Sequence, residues 1–196
     1  MVGKNESESF GFELRLRCSD PSMDQQGRPN EPQLVYRRHP ETGQPVEGLL
    51  RWGLIPHYAE TRPDLQPIHA RAETISEKRM FRDAYRKRRC IVPMNSFSQK
   101  DPSGKRYAIS RRDGAPFGVA GIRENWRDPL TSTWERTFAV ITVPANALIA
   151  PIHDRMLAIL PDEHFPRWLS EEADPRDLLV PFPTDMLAVS PQRLRH

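Results

Sequence analysis

The stretch 138–160, FAVITVPANALIAPIHDRMLAIL, decides how the chain is read. Its first six residues, Phe138–Val143, are apolar and rich in β-branched side chains, as a buried strand requires. Its last four, Leu157–Leu160, form a second short apolar run. Between them His153, Asp154 and Arg155 interrupt a segment that is otherwise core. Polar side chains placed between two buried strands mark a working site more often than a packing accident. Ala145–Ala150 has room for one helical turn.

The flanks repeat this strand-and-turn grammar. Twenty prolines punctuate 196 residues and exclude a simple helical bundle. Leu34–Arg37 (LVYR), Cys90–Pro93 (CIVP), Arg106–Ser110 (RYAIS) and Phe117–Ile122 (FGVAGI) read as strands, and Phe12–Leu16 and Asp185–Ser190 as weaker ones. The turn Asp113–Pro116 predicts a hairpin between RYAIS and FGVAGI. Ser19–Pro32, Pro40–Pro45, Thr61–Pro67, Ser96–Lys105 and Asp128–Thr133 read as loops and turns. Leu49–Pro56 (LLRWGLIP) is apolar, with Gly53 suggesting a bend or a close backbone approach. Thr74–Arg88 has helical spacing at Met80, Phe81, Ala84 and Tyr85, with Ser76 as the expected N-cap. Pro161–Leu169 and Asp174–Leu179 predict two further short helices. The sum is an α+β chain: a strand-rich, mainly antiparallel, barrel-like core with a few peripheral helices, in one domain over 1–196.

Charge and composition narrow the function. The net charge is +3 and there are two cysteines, Cys18 and Cys90, in no metal-binding spacing. Between Ser76 and Cys90 stand seven basic residues against two acidic ones, a local excess larger than that of the whole chain. With Arg51, Arg71 and aromatic neighbours, this points to a phosphate-facing surface. No run approaches the ~20 apolar residues of a membrane-spanning helix, and MVGKNESESF is polar. A cytoplasmic, monomeric protein without metal or cofactor is expected. No Gly-rich phosphate loop, GxSxG elbow or HExxH occurs, which removes nucleotide-binding, serine-hydrolase and zincin readings.

Several motifs in order carry a resemblance: MVGK at the start, RWGLIPHY (51–58), HARAET (69–74), MFRDAYRKRRCIVPMNSF (80–97), GVAGIRENW (118–126), FAVITVPAN (138–146) and IHDRMLAIL (152–160). Together they resemble the SRAP family, the SOS-response-associated peptidases, which shield abasic sites in single-stranded DNA. Residues 5–48 diverge from the pattern. The resemblance implies a mature N-terminal cysteine whose amine and thiol capture the abasic-site aldehyde as a thiazolidine. An asparagine, a glutamate and a histidine complete that site, and the cysteine and glutamate also serve autoproteolysis.

Carried over by position, the cysteine is Val2, the asparagine His69 and the glutamate Gln99; only His153 is unchanged. Valine has no thiol, so the thiazolidine is excluded at residue 2. Glutamine hydrogen-bonds but does not shuttle a proton as a carboxylate does. The resemblance and the charge pattern together assign Lys4, Arg51, Trp52, Tyr58, Arg71, Arg82, Arg86, Arg89 and Arg155 to DNA. Three functions follow as expectations. The first is a DNA-binding protein of the damage response without cross-link or protease chemistry. The second is an imine-forming processor or lyase using the Val2 amine with His69 and His153. The third is a protein-interaction module.

Overall fold

The computed structural model describes Leu16, residues 28–171 and residues 174–192. Val2, Lys4, Cys18 and all of the expected Phe12–Leu16 strand except Leu16 lie outside the described residues.

Eleven strands and two α-helices follow one another among the described residues. They are β1 (Pro32–Arg38), β2 (Pro45–Trp52), β3 (His69–Arg71), α1 (Arg79–Lys87), β4 (Arg89–Met94), β5 (Ser96–Lys100), β6 (Arg106–Arg111), β7 (Phe117–Arg127), β8 (Trp134–Pro144), β9 (Arg155–Leu157), β10 (Ile159–Leu160), α2 (Phe165–Leu169) and β11 (Leu187–Pro191). The strands β1, β2, β8, β7 and β4 pair in a closed circuit, which makes the barrel. All its pairings are antiparallel except β2 with β8. The expected α+β, strand-rich, mainly antiparallel class is the observed one.

The β-branched run that opened the reading is the barrel's central strand. In β8, Thr137–Val143 are all buried. This strand alone touches four others: β2, β3, β7 and β9. A strand enclosed on both faces needs apolar residues at every position rather than at alternate ones. Gly118 on β7 shows how tightly the outer layer packs, since a Cβ there would stand 2.3 Å from the Phe165 ring of α2. Gly53 confirms the predicted bend: its φ is +144°, a conformation that L side chains rarely adopt.

Helix α1 buries Phe81, Ala84 and Tyr85, the i, i+3, i+4 stripe seen in the sequence, against β7 and β4. Its N-cap is Lys78 rather than Ser76, whose hydroxyl accepts a hydrogen bond from Arg176 instead. The Ser96–Lys105 loop is in part a strand, β5. This strand takes β6 as its partner and, with β11, forms a separate three-stranded sheet. The expected hairpin between RYAIS and FGVAGI is therefore absent: the Asp113–Pro116 turn carries the chain from one sheet into the other.

Candidate functional site

The three described positions of the predicted site are held around the end of β8. Strand β3 lies along one edge in parallel register, with His69 opposite Val140 and Arg71 opposite Thr142. Strand β9 lies along the other edge, with Arg155 opposite Pro144. His153 sits in the turn immediately before β9. Asn146 builds that turn: its side-chain oxygen accepts the Leu148 and Ile149 N–H groups, and its amide donates to the Phe182 carbonyl at 2.7 Å. Asn is suited to this role because its side chain mimics a backbone turn. The His153 N–H then donates to the Ile149 carbonyl at 3.0 Å, which closes the loop.

Gln99 arrives from the second sheet. Its Nε2 donates to the Arg155 carbonyl at 3.1 Å, and His153 Nδ1 lies 3.2 Å from the same oxygen. The Arg155 N–H points at His153 Nδ1 from 3.0 Å, and Asp154 Oδ1 lies 3.1 Å from it. A neutral His153 accepts the Arg155 N–H at Nδ1 and carries its proton on Nε2. A protonated ring donates from Nδ1 to Asp154 or to the Arg155 carbonyl.

His69 meets the edge of Trp52, with ring centroids 6.2 Å apart at 75°. Surrounding protein pushes its pKa below the ordinary histidine value, and the nearby His153 lowers it further. The two histidines are thus within electrostatic reach of one another, and both effects favour the neutral His69 ring. The residue keeps exposed surface, yet the protein around its ring disfavours the imidazolium.

The expected DNA contacts divide. Arg71 is exposed beside the histidines. Arg82 and Arg86 are exposed on α1, where Arg82 stands 3.6 Å from its neighbour Asp83. Tyr58 is exposed, but the Arg79 guanidinium covers one of its faces at 4.3 Å. Four of the expected contacts serve the fold instead. Trp52 is only 7% exposed, stacks on Phe138 with centroids 6.0 Å apart, and donates Nε1–H to the Ile68 carbonyl at 2.9 Å. Its ring is core and offers no face to a base. Arg89 is 6% exposed and donates to the carbonyls of Trp168, Tyr85, Arg86 and Ser170. Arg51 is engaged by Glu135, Gln66 and Asn30. Arg155 binds Glu73 through both terminal nitrogens and the Thr142 carbonyl at 2.7 Å. A sequence-local count of arginines does not distinguish the buried Arg89, or the internally paired Arg51 and Arg155, from solvent-facing cations.

Glu73, Thr142 and Asn146 were not singled out in the sequence, yet they position Arg155 and His153. Each stands inside a quoted motif, which is the signal that pointed to them: Glu73 in HARAET, Thr142 and Asn146 in FAVITVPAN. The Arg155 hydrogen bond, above all, holds the Glu73 carboxyl below the usual carboxylate range. Unlike the exposed Glu73, Glu124 is a buried acid: it is 1% exposed and pairs with Arg88 at 2.8 Å and His57 at 3.3 Å. Cys90 is fully buried, and that burial pushes its thiol up to about 12, so it supplies no nucleophile. No cluster of three metal-binding side chains exists among the described residues.

A family model described as SOS response associated peptidase (SRAP) matches residues 11–193. The chain is 40% identical over 147 residues to Abasic site processing protein YoqW of Bacillus subtilis (strain 168), a match covering 70% of this chain and 65% of that protein. It is 26% identical over 180 residues to Abasic site processing protein HMCES of Xenopus tropicalis, covering 76% of this chain and 53% of that one. The chain therefore spans about 65% of the length of the YoqW relative and about half that of HMCES. A crystal structure of a Bacteroides thetaiotaomicron protein superposes with a TM-score of 0.77 at 30% identity, over 84% of this chain and 75% of that chain. One from Bordetella bronchiseptica gives 0.75 at 31% identity, over 85% and 86%.

Proposed function

Because this chain belongs to the SOS response-associated peptidase (SRAP) family, we propose that it binds abasic or single-stranded DNA at the His69–Gln99–His153 site without forming a thiazolidine. The observation that carries this reading is convergence. Gln99 of the second sheet and His153 of the turn before β9 share the Arg155 carbonyl, and His69 of β3, far from both in the chain, lies within electrostatic reach of His153. The shared neighbourhood of these side chains supports a site for abasic DNA. The changed side chains argue against the covalent step. Val2 has no thiol, Cys90 is sealed in the core, and Gln99 supplies an amide where a proton carrier is needed. Arg71, Arg82 and Arg86 are the exposed cations assigned to phosphates, and Tyr58 is an exposed aromatic ring assigned to a base. The protein then acts in the cytoplasm as a monomer, with no cofactor.

Fluorescence anisotropy with a labelled single-stranded oligonucleotide, intact or carrying one abasic site, tests the reading. Binding that weakens linearly on a log–log salt plot, with a slope of about −0.7 per phosphate contacted, is expected. Absence of binding at low salt would overturn it and favour a protein-interaction module.

His69 favours a second reading. A histidine whose neutral form is favoured is competent to take a proton. If Met1 is removed, the Val2 amine attacks the sugar aldehyde, a carbinolamine forms, and loss of water leaves an imine, with His69 and His153 moving the protons. Borohydride trapping on abasic DNA is the assay. A reduced adduct supports this reading, and none with the Met-free N-terminus verified by mass removes it.

A further inference from the structure

A second concentration of positive charge lies away from the histidines. It lines a cavity of about 390 Å³ at the other end of β8. Six residues along that strand separate Arg136, in the cavity, from Thr142, in the histidine site, a distance of about 20 Å at strand spacing. Strand register shows how the cavity is built. Arg37 of β1 lies opposite Cys90 of β4, and Cys90 lies opposite Gly121 of β7. Arg123 is two residues beyond Gly121, so it shares that face. Two residues further on, Asn125 lies opposite Arg136 of β8. Arg37, Arg123 and Arg136 therefore face one space from three strands of the closed barrel, and all three line the cavity.

Carboxylates only partly offset these three guanidiniums: Glu171 also lines the cavity, and the charge of Glu124 reaches Arg123. Among the described residues none has a carboxylate within ion-pair distance, whereas neighbouring Arg88 is paired with Glu124 at 2.8 Å and Arg38 approaches Glu171 at 3.9 Å. Arg123 Nε is buried and has no hydrogen-bond partner among the described residues. A buried donor left unmade is costly, which makes it a pointer to a missing acceptor. Burial lowers the pKa of both Arg37 and Arg123. The charge of Arg136 adds to the effect on Arg37, and the charges of Arg37 and Arg88 add to that on Arg123. A shared anion relieves the desolvation and the mutual repulsion together.

We propose that this arginine-lined cavity binds a phosphate group, as a site separate from the histidine cluster. Planar guanidiniums converging from several strands match tetrahedral oxyanions through paired N–H donors. A cavity of this size holds a terminal nucleotide phosphate or a small phosphorylated molecule.

The test reads thermal unfolding in inorganic phosphate against chloride at matched ionic strength, for the wild type and for Arg37→Gln, Arg136→Gln and Lys78→Gln. Phosphate also stabilises proteins nonspecifically, so the difference between proteins is the readout. An extra Tm rise of about 2–4 °C in the wild type and in Lys78→Gln, absent from the two cavity variants, is expected. Equal shifts in all four proteins, or none, would overturn the site. Substituting Arg37 or Arg136 removes like-charge repulsion, so both variants keep the fold. A second arm compares oligonucleotides ending in 5′-phosphate and 5′-hydroxyl as competitors for the phosphate effect. Competition by the 5′-phosphate alone identifies a DNA terminus as the source, and competition by neither identifies a free phosphorylated molecule. Because inorganic phosphate alone is the primary probe, failure here is distinct from failure of DNA binding at the histidines.

Discussion

Gln99 Nε2 donates to the Arg155 carbonyl at 3.1 Å, beside the Nδ1 of His153, which lies 3.2 Å from the same oxygen. A carboxylate at position 99 would present lone pairs to that carbonyl where the amide presents a proton. The neighbourhood has thus settled around a donor. Gln99→Glu is expected to lower unfolding stability by about 1 kcal/mol near pH 7, measured by urea denaturation. Part of that loss should return at low pH, where the new carboxyl is protonated and donates again. A variant as stable as the wild type at both pH values would show that the hydrogen bond contributes nothing.

The Arg155–Glu73 pair gives a stability signal with a definite sign. Arg155 is 18% exposed at its side chain, and its hydrogen bond holds the Glu73 carboxyl below its unfolded value of about 4.3. A depressed carboxyl stabilises the fold above the unfolded pKa, and that contribution is lost as pH falls through the folded one. Glu73 is half-exposed, so the effect is about 1 kcal/mol or less. Denaturation curves from pH 6 to pH 3 should show a steeper loss for the wild type than for Glu73→Gln. Parallel curves would contradict the pairing.

His69 predicts a change in a different window. Its folded pKa lies below the unfolded value of about 6.5, first through burial and then through His153. The unfolded chain therefore binds more protons between those two values, so stability falls as pH drops through that window. In an NMR titration the His69 ring should titrate below 6.5, and should move upward in His153→Asn. A His69 midpoint above 6.5, or one that ignores position 153, would contradict the coupling.

Arg89 tests the division between structural and exposed cations. Four backbone carbonyls accept from its guanidinium in a buried setting. Arg89→Ala should cost at least about 3 kcal/mol of stability. Arg86→Ala, on the exposed face of the same segment, should cost under about 0.5 kcal/mol and should reduce the salt slope of DNA binding. The reverse ranking would restore Arg89 to the phosphate-facing surface.

The sequence revealed the strands better than their partners. FAVITV and FGVAGI are recognisable because a strand buried on both faces needs apolar residues throughout. SFSQK is not, because a half-buried strand of mixed polarity looks like a loop until its partners are known. The hairpin at Asp113–Pro116 was misread for a related reason: a turn signal says that the chain bends, not which strand it bends towards. The same holds in the site. His153 announced itself as a polar interruption between apolar runs. Glu73 and Arg155, 82 residues apart, meet only through the pairing of β8 with β3 and β9. Nor does local sequence show that Trp52 and Arg89 point inward, since burial is a property of the assembled barrel.

Abasic DNA held at this site without a durable covalent link is the heart of the proposed function. The most direct measurement incubates the protein with an abasic single-stranded oligonucleotide, without reductant, and resolves the mixture on native and denaturing gels. The account predicts a salt-sensitive complex on the native gel and free oligonucleotide on the denaturing one. A protein–DNA adduct that survives denaturation would contradict it.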